Sequence, residues 1–319
     1  MCDNGKYHQF KIKTDNYISR KREDLPLCTI CNPIGDSKSI SESDLYNFVK
    51  SVYGGEIIQS YRDELEIDIY LPKIGIGFEY NGLYWHSEIF KEKNYHKEKY
   101  IFFKKRGIRL INIWEDDWRS RKEIIKSQIK NWIGVTELRE YARNCEILLI
   151  KDNKLVKDFL EKNHIQGYVR PKISIGLIKD GELMSIMCFD SLEGRKTMKD
   201  GEWNLSRFCN KLNMSVVGGA SKLLKYFIRN WNPHRIISYS ENSWSDGSIY
   251  EKLGFDLVRD GNPDYKYLER GERRHKSNFT KKKLGLSKDE TETEVSKKIG
   301  LIRIWDCGKK KFEMRFTEE

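Results

Sequence analysis

Two runs of strictly alternating residues flank a Pro-Lys pair, and they constrain the chain more than any other feature. In "LEIDIYL" (65–71), Leu65, Ile67, Ile69 and Leu71 fall on one side, and Glu66, Asp68 and Tyr70 on the other. In "IGIGFEY" (74–80), Ile74, Ile76, Phe78 and Tyr80 oppose Gly75, Gly77 and Glu79, with Asn81 next in the series. A period of two belongs to strands half-buried on a sheet. If Pro72-Lys73 is a two-residue turn, Glu66 lies opposite Glu79 and Asp68 opposite Gly77. Asp68 and Glu79 are then diagonal neighbours, roughly 7–8 Å apart. The expectation is a sheet face with three carboxylates, and with glycines that let a substrate approach closely. Carboxylates without matching cations repel one another, and a hard divalent ion such as Mg²⁺ relieves this.

The neighbouring segments extend the hairpin. "SESDLYNFVKSV" has capping-type residues and then Leu45, Phe48 and Val49 at helical spacing. "GGEIIQSY" reads as a strand, "NYHKEKYIFFKKRG" as a helix closed by Gly107, "IRLINIW" as a buried strand and "DWRSRKEIIKSQIKNWIG" as an amphipathic helix. The order over 37–134 is α-β-β-β-α-β-α. Further on, "ISIGLIKDGELMSIMCF" is a strand pair turning at Asp-Gly. "WNLSRFC" is a strand, "VVGGASKLLKYFIRNW" a Gly-rich turn opening a helix, "RIISYS" a buried strand and "SDGSIYEKLGF" a helix-to-strand step.

The chain has 319 residues, enough for two or three domains, with 38% hydrophobic and 34% charged residues. A net charge of +11 favours a polyanionic partner. No apolar run suits a membrane span, and "MCDNGKYHQF" lacks a signal-peptide core, so an intracellular location is expected. Cys145, Cys188, Cys209 and Cys307 stand singly and are expected to pack as small apolar residues. Cys2, His8, Cys28 and Cys31 are different. Their C-x5-H-x19-C-x2-C spacing is that of four soft ligands around a structural zinc, in a segment with almost no core of its own.

"EIDIYLPKIGIGFEYNGLYWHSE", followed by "YHKEK" and "LINIWEDDW", resembles the PD-(D/E)xK nucleases. More narrowly, it is similar to very-short-patch-repair (Vsr-like) endonucleases and phage homing endonucleases of the Hef type. The resemblance implies a nuclease core αβββαβ within an α/β, multi-domain chain. Asp68 and Glu79 match its Mg²⁺-binding acids. Asn81 stands where that element has Lys or His. His86 matches a second His, taken as general base or proton shuttle. Glu42 matches a supporting helix Glu. His96 and Lys99 share a helix face, and Lys99 is placed to replace the missing Lys on a phosphate. Tyr84 and Trp85 match aromatics that wedge between bases.

"GGASKLL" and "YEKLGF" resemble the GNAT acyltransferase fold, an α+β domain. Its usual Arg/Gln-x-x-Gly-x-Gly/Ala loop is only partly present, and no acid or base stands out. The expected organisation is a zinc-binding segment (1–35), a Vsr-like nuclease domain (36–136), a GNAT-like DNA-recognition module (140–270) and a basic tail (271–319). Lys97, Lys222, Lys225, Arg229, Arg273, Arg274, Lys281 and Lys282 are the expected DNA-contacting cations. The implied activity is site-specific, Mg²⁺-dependent cleavage of double-stranded DNA, with no small-molecule cofactor. The alternatives are a mismatch-directed nickase, a non-catalytic DNA-binding protein, and an acyltransferase working through the C-terminal domain.

Overall fold

The computed structural model describes residues 11–22, 27–28, 40–192, 201–279, 296 and 300–316. The chain forms two compact units, Met1–Asn47 and Phe48–Glu319. In the first, α1 (Thr14–Arg22) has no buried residue, whereas Cys28 is buried. α2 (Ile40–Val52) spans the boundary and buries Leu45 and Val49, one turn apart.

The second unit opens with a four-stranded sheet in the order β1 (Ile58–Asp63), β2 (Leu65–Leu71), β3 (Ile76–Asn81), β4 (Arg109–Trp114). The first two pairings are antiparallel, and β3–β4 is parallel. A parallel pair needs a crossover, and α3 (Tyr95–Lys105) supplies it. α4 (Glu115–Ser120) and α5 (Lys122–Trp132) follow, and α5 buries Ile124, Ile125 and Ile129 along one stripe. The element order expected for 37–134 is present. Its hairpin register is not. Pro72–Ile74 forms a 3-10 turn closed by Gly75 at φ +62°, so Tyr70 faces Gly77. Continuing that register puts Asp68 directly opposite Glu79. Gly77 does not open the sheet to a substrate either. A Cβ there would lie 3.0 Å from Ile67 and 3.3 Å from Leu110, so the glycine makes room for the core.

The rest of the unit comprises β5 (Leu138–Tyr141), β6 (Glu146–Leu149), α6 (Asn153–Asn163), β7 (Ile173–Lys179), β8 (Glu182–Ser191), β9 (Glu202–Asn210), β10 (Met214–Val217), α7 (Gly219–Trp231), β11 (Arg235–Glu241), α8 (Ser248–Lys252), β12 (Asp256–Asp260), β13 (Tyr265–Glu269), β14 (Glu272–His275), β15 (Ile302–Trp305) and β16 (Lys309–Arg315). Seven strands make one sheet in the order β12-β16-β11-β9-β8-β7-β6. Every neighbour is antiparallel except β9–β11, which α7 connects as a parallel crossover. β7 and β8 turn through Asp180-Gly181, both at positive φ as a tight hairpin turn requires.

Alternation along the strands gives the sheet two apolar faces. Val156 and Leu160 of α6 pack with Ile186, Cys188 and Cys209. Leu223, Leu224 and Phe227 of α7 pack on the other face with Met187, Phe189, Trp203 and Leu205. Phe189 and Phe227 stack at 3.6 Å between ring centres. The four singly placed cysteines are all buried. β13, β14 and β15 form a small antiparallel sheet, and β5 pairs in parallel with β10. Among the described residues no helix is long and apolar enough to cross a membrane.

Candidate functional site

The parallel pair β9–β11 is the one place where the large sheet opens. The two strands are paired only at Arg235–Glu202, Ile236–Trp203 and Ile237–Asn204. Beyond this, 205–210 and 238–241 run on with no ladder between them. A bulge contributes to the divergence. The β9 partner of β8 shifts from Arg207 opposite Cys188 to Leu205 opposite Phe189, leaving Ser206 as the extra residue. Such an insertion bends its strand and raises the local twist.

Side chains bridge the point where the two strands part. The Ser238 hydroxyl lies 2.8 Å from the Leu205 carbonyl and 2.9 Å from the Tyr250 hydroxyl. Ser238 shares its one proton between these two oxygens, and the Tyr250 hydroxyl lies 3.4 Å from the Tyr239 carbonyl, to which it donates. Tyr250 is fixed by its surroundings. Its ring stacks on Phe312 at 4.8 Å, and α8 starts where Asp246 accepts the Ser248 N–H at 3.0 Å. Gly247, at φ +85°, permits that start, since a Cβ would lie 2.5 Å from the Phe312 ring. Burial raises the Tyr250 phenol above its ordinary value, so it stays protonated at neutral pH.

Arg207 donates from Nε to the Gly167 carbonyl at 3.1 Å, and burial lowers its guanidinium. Glu241, at the end of β11, accepts from Gln166 at 3.3 Å. Burial pushes the Glu241 carboxyl up, but Lys266, Lys309 and Arg273 outweigh burial and hold it low. α7 begins after β10, past the C-terminal end of β9. Its N-cap is Gly218 at φ +78°, no acid lies in its first turn, and its opening N–H groups suit an anion. In open α/β sheets, ligands enter at the carboxyl ends of parallel strands.

The residues expected to hold Mg²⁺ lie in the small sheet, and their partners differ from expectation. Glu66 pairs with Arg62. Asp68 accepts the Tyr80 N–H at 2.7 Å. Glu79 is buried and pairs with Lys99, also buried, so Lys99 is not presented to a phosphate. Burial first, and Asp68 next, raise the Glu79 carboxyl to about 8 despite Lys99. Asn81 donates to Asn112 at 2.8 Å. His86 and His96 stack at 5.1 Å. Burial holds the His86 imidazole near 2 and the His96 imidazole near 3, so neither is a base poised near neutral pH. Glu42 lies in the first turn of α2. Among the described residues no three His, Cys, Asp or Glu side chains are grouped to hold a metal. Cys2, His8 and Cys31 of the expected zinc set lie outside the described residues.

The expected DNA contacts are also largely engaged within the protein. Lys97 donates to the Gly261 carbonyl at 2.7 Å. Lys222 donates to the Ala142 and Cys145 carbonyls at 2.9 and 2.6 Å. Arg273 is buried against Asp116 and Asp117 at 2.9 and 2.5 Å, and the exposed Arg274 pairs with Glu272 at 2.6 Å. Lys225 and Arg229 remain exposed on α7, while Lys281 and Lys282 lie outside the described residues. Tyr84 and Trp85 are exposed, 5.2 Å apart between ring centres, and each also packs on Phe90.

No protein-family model matches the chain, and no curated protein matches it. Solved structures do. A ribosomal-protein alanine N-acetyltransferase of Escherichia coli is 11% identical, with a TM-score of 0.33, over 55% of this chain and 96% of its own. An acetyltransferase of Bacillus subtilis in complex with CoA is 13% identical, with a TM-score of 0.32, over 54% and 99%. An IAA acetyltransferase of Bacillus cereus is 13% identical, with a TM-score of 0.31, over 54% and 99%. These similar proteins are acetyltransferases and not nucleases. The expected PD-(D/E)xK and Vsr-like homing-endonuclease assignment, with its Mg²⁺, Zn²⁺ and double-stranded DNA, is corrected: among the described residues no group of three His, Cys, Asp or Glu could hold a metal, and Lys97, Lys222 and Arg273 are committed to protein groups. In the small sheet, Lys99 bonds one Glu79 carboxyl oxygen, and the other, Oε2, is buried with no hydrogen-bond partner.

Ser206, Ser238 and Tyr250 are absent from the residues the sequence singled out. A signal for Ser238 was present: "RIISYS" puts Ser238 and Ser240 on the face of Ile236 in a strand otherwise read as buried.

Proposed function

We propose that the seven-stranded sheet is an acyltransferase that takes a coenzyme A-type thioester into the cleft between β9 and β11. The observation that carries this reading is the broken β9–β11 ladder with the Tyr250 hydroxyl bonded to Ser238, the first residue beyond the last paired position. The residues present suit such a donor. The unpaired edges of 205–210 and 238–241 offer backbone hydrogen-bonding groups to an amide-bearing arm. The acid-free start of α7, with two glycines at Gly218-Gly219, offers N–H groups to phosphates.

An acyl thioester supplies an activated carbonyl and a sulfur leaving group. Tyr250 keeps its proton at neutral pH and is placed to give it to the departing sulfur. Ser238 orients that hydroxyl and also spans the strands through Leu205. The proton lost by the acceptor passes to solvent, and Tyr250 is reprotonated from water.

Thiol release from acetyl-coenzyme A, followed with a panel of amine acceptors, tests this. The expected result is acceptor-dependent release that Tyr250→Phe lowers by roughly 10²-fold, the lower end for a general acid, with little change in KM. Equal rates in Tyr250→Phe and the parent would remove Tyr250 from the chemistry. No release with any acceptor would count against the transferase reading.

A further inference from the structure

Tyr250 is held in place from outside the sheet it serves. α8, which carries it, follows β11 through the short connection 242–247. That connection is bound by the four-stranded sheet. The Asn112 N–H of β4 donates to the Ser243 carbonyl at 2.9 Å. Arg109, at the start of β4, donates to the Trp244 carbonyl at 3.3 Å and lies 3.9 Å from an Asp246 carboxylate oxygen. Its guanidinium also lies over the Trp132 ring of α5 at 5.3 Å, and Trp132 meets Trp244 edge-on at 4.8 Å.

Asp246 spends its two carboxylate oxygens on different elements. Oδ1 accepts the Ser248 N–H at 3.0 Å and the Ser248 hydroxyl at 2.8 Å, which fixes the start of α8. Oδ2 faces Arg109. Two residues beyond Ser248, the Tyr250 ring stacks on Phe312 and its hydroxyl meets Ser238 at 2.9 Å. α8 has only five residues, Ser248–Lys252, and a helix so short has little stability of its own. Its orientation follows from what holds its first turn. As a source of stability the Arg109–Asp246 pair counts for little, since the two side chains are 27% and 44% exposed. As a constraint on direction it sits where a small rotation of α8 moves the Tyr250 hydroxyl.

We propose that Arg109 is a positioning residue for Tyr250, acting through the Trp244 carbonyl and the Asp246 carboxylate. The four-stranded sheet then takes part in the work of the seven-stranded one by setting the angle of α8. The kinetic consequence rests on the acyl-transfer reading of Tyr250. The structural consequence, the setting of the Tyr250 hydroxyl, does not. A reacting group misplaced by about 1 Å loses up to roughly 10²-fold in rate.

Arg109→Met, Arg109→Lys and Asp246→Asn test this in the full chain. Asp246→Asn keeps the Oδ1 acceptor that starts α8 and removes the charge facing Arg109. In protein isotope-labelled at the tyrosine ring carbons, the Tyr250 resonance is identified by its loss in Tyr250→Phe. Arg109→Met and Asp246→Asn are expected to move that resonance, and Arg109→Lys to move it less. In thiol release from acetyl-coenzyme A, Arg109→Met is expected to lower kcat roughly tenfold with KM unchanged, and to add nothing in the Tyr250→Phe background. A Tyr250 resonance unmoved in both Arg109→Met and Asp246→Asn overturns the proposal. So does a loss from Arg109→Met that multiplies with that of Tyr250→Phe. The resonance needs no acyl donor, so a moved resonance in a protein that releases no thiol contradicts the transferase reading and supports the positioning of Tyr250 by Arg109.

Discussion

Lys99 decides the character of the polar end of β3. Its ammonium is the cationic partner of the buried Glu79 carboxylate. Lys99→Met would remove the cation that favours the ionised form, so its cost is expected to be small at pH 6 and to grow as pH rises through about 8, read by urea unfolding at the two pH values. The pH dependence has a definite sign. The Glu79 carboxyl is raised from 4.5 to about 8 on folding, so the folded state binds the extra proton between those values. Its contribution to stability is full below 4.5 and is lost as pH rises through about 8. Urea unfolding from pH 5 to 9 should therefore show the parent losing stability relative to Glu79→Gln. Parallel curves for the two proteins would refute this account of Glu79. Sequence alone shows a Glu at the end of a strand and a Lys on the next helix. It does not show that α3 folds Lys99 onto one oxygen of Glu79, inside a buried site. Tyr250 escaped notice for the opposite reason. Nothing local marks a tyrosine on α8 whose hydroxyl meets Ser238 of β11.

α7 is the element that makes the large sheet possible, because it is the crossover that sets β11 parallel to β9. Its apolar stripe ends on Phe227, fully buried and stacked on Phe189 and, at 5.2 Å, on Trp231. Phe227→Ala should cost about 3–5 kcal/mol. Thermal unfolding checks this, and a loss under 1 kcal/mol would mean that the stack is not the anchor of α7. Elements of this kind were legible. The helix read at 94–107 is Tyr95–Lys105, and the Asp-Gly hairpin lies at 180–181. Local periodicity and turn chemistry suffice for such elements. Register and distant pairing were not legible. The connection after Leu71 is a 3-10 turn and not a two-residue loop, which moved the hairpin pairing by two residues. β16 lies between β11 and β12 although it comes from the end of the chain, and no local pattern announces such a partner.

Within the second unit the four-stranded sheet and α4 are tied to the seven- and three-stranded sheets by polar bonds. The Asn112 N–H of β4 donates to the Ser243 carbonyl at 2.9 Å, just past the end of β11. Arg273 of β14 grips Asp116 and Asp117 of α4. The end of β11 that borders the proposed cleft is thus braced from the small sheet, leaving the other side of the cleft to β9. The net charge of +11 remains a real property of this molecule. Several of the cations read as DNA contacts are committed to protein carbonyls and carboxylates. The central claim is that the unpaired edges of β9 and β11 receive an acyl thioester. Backbone hydrogen exchange of the full chain, with and without acetyl-coenzyme A, measures this most directly. The account predicts new protection at 205–210 and 238–241, where the ladder is broken. Protection confined to α7, or none at all, would contradict it.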